Sequence, residues 1–439
     1  MKTYDMIVIG FGKAGKTLAA KMAIQGKTVA MVEQSPQMYG GTCINIGCIP
    51  TKTLLHAAEK GLDFSSVMAE KDAVTSRLRA KNFAMLDQKD TVHVYTAKAR
   101  FVQNKVIELL SDQDQEQITA ETIIINTGAV SNRLPIPGLA ESQGVYDSTG
   151  IQELAQQPER LGIIGGGNIG LEFATLYAEL GSQVTVFDPQ SRLFAREEPM
   201  VSDLAKTYME EQGIHFELSS TIYQVANKAD TVVITSNKGE FVFDAVLYAT
   251  GRRPNTQELN LEATDIKLTD RGAIEVDEFC QTSVPGVFAV GDVNGGPQFT
   301  YVSLDDYRIV YGYLTGDLSY SLQNRRHVPT TTFVNPPLAR VGLDEETAKA
   351  EGLSYKANTL LVANMPRAHV NGDLRGFFKV VVNPETEEIL GATLYGAEAG
   401  ELINLITMAM DNKIPYTYFQ KQIFTHPTMV ENFNDLFNV

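Results

Sequence analysis

Residues Tyr4-Asp-Met-Ile-Val-Ile-Gly10-Phe-Gly12-Lys-Ala-Gly15 decide the fold. A short apolar strand runs into three glycines, a helical stretch follows to Gly26, and a second strand from Thr28 to Val32 ends at Glu33. This order is a βαβ unit carrying the dinucleotide fingerprint in its proper setting. Gly10 permits the tight turn, Gly12 lets backbone approach a pyrophosphate, and Gly15 lets helix and strand pack closely. The start of the helix offers N–H groups and partial positive charge to the phosphates. Glu33 is placed to bond a ribose hydroxyl.

The pattern returns. Leu161–Ile164 reads as a strand, Gly165-Gly-Gly167-Asn168-Ile169-Gly170 as the loop, and a helix runs to about Leu180. The next strand, Val184–Phe187, ends at Asp188. Glu33 stands 18 residues after Gly15, and Asp188 stands 18 after Gly170. One Gly-x-Gly-x-x-Gly is a weak signal, but two between strands with equally spaced acids predict two dinucleotide sites. Such a chain suits hydride transfer between a tightly held carrier and an exchanging one. Two buried-type strands, each ending in Thr-Gly (Thr127-Gly128 and Thr250-Gly251), would close the two nucleotide domains. Pro135-Ile-Pro137-Gly138 marks the passage from one to the other, and Arg252-Arg-Pro254-Asn255 the return.

The chain has 439 residues, which predicts several domains, and a formal net charge of −16, which argues against nucleic-acid or anionic-membrane partners. No window approaches the roughly 18 apolar residues that a bilayer span needs, and the N-terminus reads as a strand, so a cytoplasmic protein is expected. Three cysteines are too few for a stapled secreted scaffold.

Two of them lie in Gly40-Gly41-Thr42-Cys43-Ile-Asn45-Ile-Gly47-Cys48-Ile-Pro50-Thr51-Lys52, beside the expected pyrophosphate. Residues five apart on a regular helix have Cα atoms roughly 8.6 Å apart, and a disulfide needs less than about 7 Å. Cys43 and Cys48 can bridge only across a distorted turn, which Gly47 and Pro50 permit. Zinc is the rival, but structural zinc takes four ligands with tighter cysteine spacing, and no nearby His or Cys completes a set; no metal is expected. Cys280 stands alone, as a core or surface thiol.

With these motifs in view, the chain resembles the class I flavoprotein disulfide reductases, the family of glutathione reductase, dihydrolipoamide dehydrogenase and mercuric reductase. The resemblance covers nearly the whole length. It rests on Gly41–Lys52, on Thr282-Ser-Val-Pro-Gly286-Val-Phe-Ala-Val-Gly291-Asp292, on Asn335-Pro-Pro-Leu-Ala-Arg-Val-Gly342, on Gly376-Phe-Phe-Lys-Val-Val-Val382, and on His426-Pro427-Thr428-Met-Val-Glu431. It implies an α/β fold with two Rossmann-like domains and a C-terminal α+β dimerisation domain. The FAD domain would be 1–146 with 257–325, the NAD(P)H domain 147–256, and the interface domain 326–439, with Leu402–Met410 a helix of the dimer contact. FAD would be held by Gly10, Gly12, Gly15, Glu33, Gly41, Thr42, Lys52, Ala99, Thr127, Gly128 and Asp292. The nicotinamide carrier would be held by Gly165, Gly167, Asn168, Ile169, Gly170, Asp188 and Gly251. Cys48 would be the thiolate against the flavin and Cys43 the outer thiol that attacks substrate. Lys52 would lie near the flavin, paired with Glu172. His426, held by Glu431, would serve as acid and base on the outer thiol, across a two-fold homodimer.

No cysteine follows Cys280. This argues against mercury reduction and against the large thioredoxin reductases, both of which need a C-terminal thiol or selenol pair. Dihydrolipoamide reduction is the alternative. Against it stand Pro297-Gln-Phe299-Thr300-Tyr301-Val-Ser303-Leu-Asp305-Asp306-Tyr307-Arg308, in place of the family's alanine-rich helix start, Phe424-Thr425 before the His-Pro, Met38-Tyr39, and Tyr146-Asp147-Ser148-Thr149. These resemble bacterial reductases of reactive-chlorine resistance, which implies reduction of hypothiocyanous acid and of cupric copper. Cys43 would attack the electrophilic sulfur, thiocyanate would depart, and Cys48 would close the disulfide that NAD(P)H reopens through FAD. Asp188 favours NADH, because a carboxylate there repels a 2′-phosphate; Arg192 and Arg196 either soften this or are surface charge. A non-enzymatic role, as a bound subunit or redox sensor, is the reading from another class; turnover with free substrate would separate them.

Overall fold

The computed structural model describes residues 1–111 and 115–439. Contacts divide them into two compact units. The first comprises Met1–Leu134, Tyr146–Gln157 and Thr250–Arg325, and the second Pro135–Val145, Pro158–Ala249 and Arg326–Val439.

In the first unit the opening sequence forms strand β1 (Lys2–Ile9), helix α1 (Lys13–Ile24) and strand β2 (Val29–Glu33). Helix α2 (Thr42–Asn45), helix α3 (Cys48–Glu59) and the long helix α4 (Phe64–Asp87) follow. Strands β3 (Val92–Thr96), β4 (Lys98–Gln103), β5 (Val106–Leu110) and β6 (Gln115–Ile125) complete the main run. The sheet order is β3-β2-β1-β6-β5-β4, and the strand Val287–Ala289 pairs with β6 in parallel. β3, β2, β1 and β6 are parallel, and β4 and β5 are antiparallel. All five residues of β2 are buried. A strand covered on both faces must read as a continuous apolar run, as this one does until its terminal acid.

The second unit repeats the arrangement. Strands Ile214–Leu218, Gln183–Asp188, Arg160–Ile164 and Ala245–Tyr248 lie side by side in parallel. The helix Asn168–Glu179 occupies the place of α1. An antiparallel sheet of Ile222–Lys228, Thr231–Ser236 and Gly239–Phe243 is packed on this core. The C-terminal stretch forms a five-stranded antiparallel sheet, ordered Thr330–Thr332, Leu338–Gly342, Ile389–Tyr395, Phe377–Val382, Lys356–Leu361. Its own core gathers Phe378, Leu394, Ile406 and Phe433. The helix expected over Leu402–Met410 spans Ala399–Asp411, with Leu405 and Met408 left exposed. Among the described residues no helix is long and apolar enough to cross a membrane.

Candidate active site

The two glycine loops are built alike, bond for bond. Gly10 and Gly165 have φ of 93° and 111°, and each donates its N–H to the end of the neighbouring strand, at Val32 O and Phe187 O, 2.8 Å in both cases. Gly12 and Gly167 then cap their helices with extended backbone, without a side-chain cap and without an acid in the first turn. Each helix therefore presents an uncovered positive end, the environment that a pyrophosphate needs. Glu33 Oε2 accepts the N–H of Phe11 at 3.1 Å, and Asp188 Oδ2 that of Gly166 at 2.7 Å. Both acids thus brace the loop whose ribose they are expected to read.

Close packing makes the first loop a cradle. A Cβ on Gly12 would lie 2.3 Å from Asn126 Oδ1, one on Gly15 2.7 Å from Val8 Cγ1, and one on Gly41 2.8 Å from the Cα of Gly12. Asn126 is a residue that the sequence reading missed. Buried at the end of β6, it accepts the Gly15 N–H at 2.9 Å and donates to Val290 O at 2.7 Å. Thr127 Oγ1 and the Gly128 carbonyl bind Asn255, while Gly251 O accepts the Asn132 N–H. Ala99 lies on β4 beside Leu109. These features fit FAD at the first loop and a pyridine nucleotide at the second.

Asp292 sits in a short 3₁₀ turn, Gly291–Asn294, held by a neighbour whose role the sequence did not show. Asp306, 1% exposed, accepts the Gly291 N–H at 2.6 Å and the Asn294 amide at 3.1 Å, and pairs with Arg325. Asp305 also pairs with Arg325, at 2.8 Å. Ser303 Oγ, one helical turn back, accepts the Ala14 N–H at 3.2 Å and so ties the helix Thr300–Thr315 to the glycine loop. Burial raises the Asp292 carboxyl, against the opposing pull of the Arg252 guanidinium.

The distorted turn expected between the cysteines is a complete break. α2 ends at Asn45, Gly47 takes φ −118° and ψ −117°, and Cys48 is the first residue of α3. Asn45 fixes the near side by donating to Tyr39 O and Gly41 O at 3.0 and 2.9 Å. Thr51 fixes the far side through its N–H and hydroxyl, both to Gly47 O. Gln152, buried, donates to Ile46 O at 3.1 Å between them. Both cysteines are free thiols, Cys48 exposed and Cys43 half-buried. They share a hydrogen bond, which lowers the Cys43 thiol to about 6; burial opposes this, while Thr300, Lys16 and the Ile49 N–H assist. The same bond, then burial and the facing Cys43 charge, raise Cys48, with Lys52 pulling the other way from one turn along α3. The pair thus shares a proton across this bond, with the Cys43 thiol drawn down and the Cys48 thiol drawn up.

The aromatic segment that departs from the family pattern lies beside this pair. Thr300 Oγ1 is 3.9 Å from Cys48 Sγ. Phe299 and Tyr301 stack at 5.1 Å with 10° between their planes. Burial, and to a lesser degree the nearby Cys48 sulfur, raise the Tyr301 phenol to about 12. Burial lowers the Arg252 guanidinium, and Asp292, Asp147 and then the Cys48 sulfur oppose that. Cys280 is fully buried in the core, the first of its two expected places.

In the second unit, His426 Nδ1 lies 2.7 Å from Glu431 Oε2. Glu431 also accepts the Thr428 N–H at 3.3 Å, so its carboxylate is oriented and the exposed imidazole is held. Glu172, buried on the helix Asn168–Glu179, accepts the Phe333 N–H at 3.0 Å. Lys52 belongs to the first unit. Arg192 is turned back onto the carbonyl of Ala195 at 3.1 Å.

Comparison with known proteins agrees along the whole chain. Residues 4–306 match the family model for pyridine nucleotide-disulphide oxidoreductase, and residues 328–437 match its dimerisation domain. The chain is 44% identical to the probable pyridine nucleotide-disulfide oxidoreductase RclA of Escherichia coli over the full length of both. It is 35% identical to a mercuric reductase of Staphylococcus aureus, over 93% of this chain and 77% of that protein. A solved structure described as the Cu(II) complex of HOCl-induced flavoprotein disulfide reductase RclA from Escherichia coli superposes with a TM-score of 0.98, at 43% identity, covering 100% of this chain and 99% of that one.

Proposed function

The chain belongs to the pyridine nucleotide-disulphide oxidoreductases, and from that premise we propose that it is an NAD(P)H-dependent reductase of hypothiocyanous acid acting in oxidant defence. The family implies FAD and a pyridine nucleotide, and FAD when bound supplies two-electron transfer between the nicotinamide and the dithiol. The observation that carries the reading is the Cys43–Cys48 pair, ionised near neutrality and bordered by Thr300 and the stacked Phe299–Tyr301 rings. A thiolate is the reactive form of cysteine, and a small electrophile needs only that sulfur and a narrow approach.

The Cys43 thiolate attacks the sulfur of hypothiocyanous acid. A sulfur–sulfur bond forms, and the hydroxyl leaves as water with a proton from the His426 imidazole. Cys48 then yields its proton to the His426 imidazole and attacks the Cys43 sulfur, thiocyanate departs, and the disulfide closes. The nicotinamide's two electrons restore two thiols, so one NADH and one hypothiocyanous acid give NAD⁺, thiocyanate and water. In this scheme His426 and Glu431 come from the second chain of a homodimer, a role that suits the exposed Leu405 and Met408 of the interface domain. Asp188, with both oxygens on backbone N–H groups, disfavours a 2′-phosphate and supports NADH. Recycling by this carrier places the enzyme in the cytoplasm. Cupric ion, which the E. coli relative binds, is a second electron acceptor for the same dithiol, two ions being reduced for each disulfide formed.

The test is NADH consumption by the purified flavoprotein, with hypothiocyanous acid and lipoamide compared at matched concentrations. Fast turnover with the former and none with the latter supports the proposal. The reverse makes the enzyme a dihydrolipoamide dehydrogenase.

A further inference from the structure

Helix α4 buries a partly polar face. Val67, Lys71, Thr75 and Leu86 form one helical stripe, on which a lysine and a threonine stand where packing alone would take apolar side chains. Lys71 is 3% exposed. Its Nζ donates to Gln152 O at 2.8 Å and pairs with Asp72 Oδ1 at 2.8 Å and with Glu153 Oε1 at 3.2 Å. Gln152 and Glu153 close the 3₁₀ turn Gly150–Glu153. The start of this turn is fixed as well. Asp147 Oδ1 accepts the N–H groups of Thr149 and Gly150 at 3.0 and 2.9 Å, and its Oδ2 accepts the Ser131 hydroxyl at 2.9 Å. The turn is thus held at both ends, and it delivers the buried Gln152 side chain, whose amide donates to Ile46 O at 3.1 Å. Ile46 lies at the break, between the end of α2 and Gly47. The near side of the break is tied to the same long helix, because Arg79 Nε donates to Asn45 Oδ1 at 2.8 Å. Helix α4 therefore reaches the segment between the cysteines twice, directly at Asn45 and through Gln152 at Ile46.

We propose that Gln152, seated by Lys71, is a positioning residue for the thiol–disulfide couple: it bonds the joint between Cys43 and Cys48 in both oxidation states, narrows its range, and so raises the effective concentration of one sulfur at the other. The proposal rests on the reading of Cys43 and Cys48 as a redox pair. Closing a disulfide costs the conformational freedom of the segment between the sulfurs, and a segment already restrained has less to lose. Without the Gln152 bond the dithiol keeps more of that freedom, and the equilibrium moves away from the disulfide.

The experiment equilibrates the FAD-loaded, full-length enzyme with mixtures of reduced and oxidised dithiothreitol. Cys43 and Cys48 pass two electrons and two protons to the oxidised reagent as their disulfide forms, and alkylation followed by mass spectrometry reads the fraction bridged. Gln152→Met keeps the length of the side chain and removes the donor. It is expected to lower the equilibrium constant for the disulfide about fivefold, the size of one net hydrogen bond, which makes the potential about 20 mV less negative. Lys71→Met is expected to shift it in the same direction, and the double variant no further than Gln152→Met alone, because the lysine acts through the glutamine. If Lys71→Met does not fold, Gln152→Met and Gln152→Glu decide the matter, since Gln152→Glu keeps the shape, replaces the donor with a carboxylate and should also disfavour the disulfide. An unchanged equilibrium constant in Gln152→Met, or a shift toward the disulfide, overturns the proposal, and additive shifts in the double variant overturn the part given to Lys71. A parent enzyme in which Cys43 and Cys48 form no disulfide with each other would fell the redox-pair reading, whereas a parent couple that the variants leave unmoved fells this proposal alone.

Discussion

Replacing Cys48 with alanine isolates the interaction that sets the reactivity of Cys43. The shared hydrogen bond is the largest influence lowering that thiol to about 6, and burial acts against it. Without the donor, Thr300, Lys16 and the Ile49 N–H must offset burial alone, and the thiol should rise by about two pH units, equivalent to about 2.7 kcal/mol. At pH 7 the ionised fraction would fall from about nine-tenths to about one-tenth. A more basic thiolate is also a better nucleophile, gaining about eightfold over two pH units at a Brønsted slope near 0.45. The two effects nearly cancel in the rate at neutral pH, so a single-pH assay would miss the change. The midpoint of the alkylation profile is the proper observable, with Cys48→Ser, which keeps a hydroxyl donor, as the reference. Cys48→Ala should titrate about two pH units above Cys48→Ser. Equal midpoints in the two variants would refute the assignment of the shared hydrogen bond as the dominant cause.

Asp306→Ala removes the acceptor for Gly291, Asn294 and Arg325 together. Because Asp305 still pairs with Arg325, the cost should sit near the low end for a broken buried pair, about 3 kcal/mol, seen as a fall of roughly 6–12 °C in Tm with earlier release of flavin fluorescence. Gly12→Ala places a methyl 2.3 Å from Asn126 Oδ1. Overpacking of that kind costs about 1–3 kcal/mol, and the purified variant should carry less FAD than the parent by absorbance. Cys43→Ser should abolish turnover with FAD still bound; full residual activity would remove it from the role of attacking thiol. His426→Ala should slow oxidation of the dithiol by substrate more than reduction of the enzyme by NADH in stopped-flow, and equal slowing of both would exclude an acid–base role.

The sequence made the scaffold of the nucleotide sites legible because glycine turns, flanking strands and terminal acids lie within about 30 residues of one another, inside a single βαβ unit. Thus Gly10, Gly165, Glu33 and Asp188 could be placed from spacing alone, and the break between Cys43 and Cys48 followed from what a helix cannot bridge. The extent of β6 was not legible. Its first half, from Gln115, alternates polar and apolar residues and pairs with β5, while only the apolar end from Glu121 carries the signal of a buried strand. The structural roles of Asn126, Gln152 and Asp306 were hidden for another reason. Their partners named above are between 12 and 164 positions away, and no local period records a contact between such distant places.

The rupture of the helix at Ile46–Gly47 has a mechanical meaning. Each sulfur rides on its own lever, one clamped by Asn45 and the other by Thr51, and the levers meet at a single joint steadied by Gln152. A reaction cycle that draws the sulfurs together and parts them again works that joint alone. Because Asn45 is bonded to Gly41, which packs against Gly12, the near lever is anchored on the glycine cradle itself.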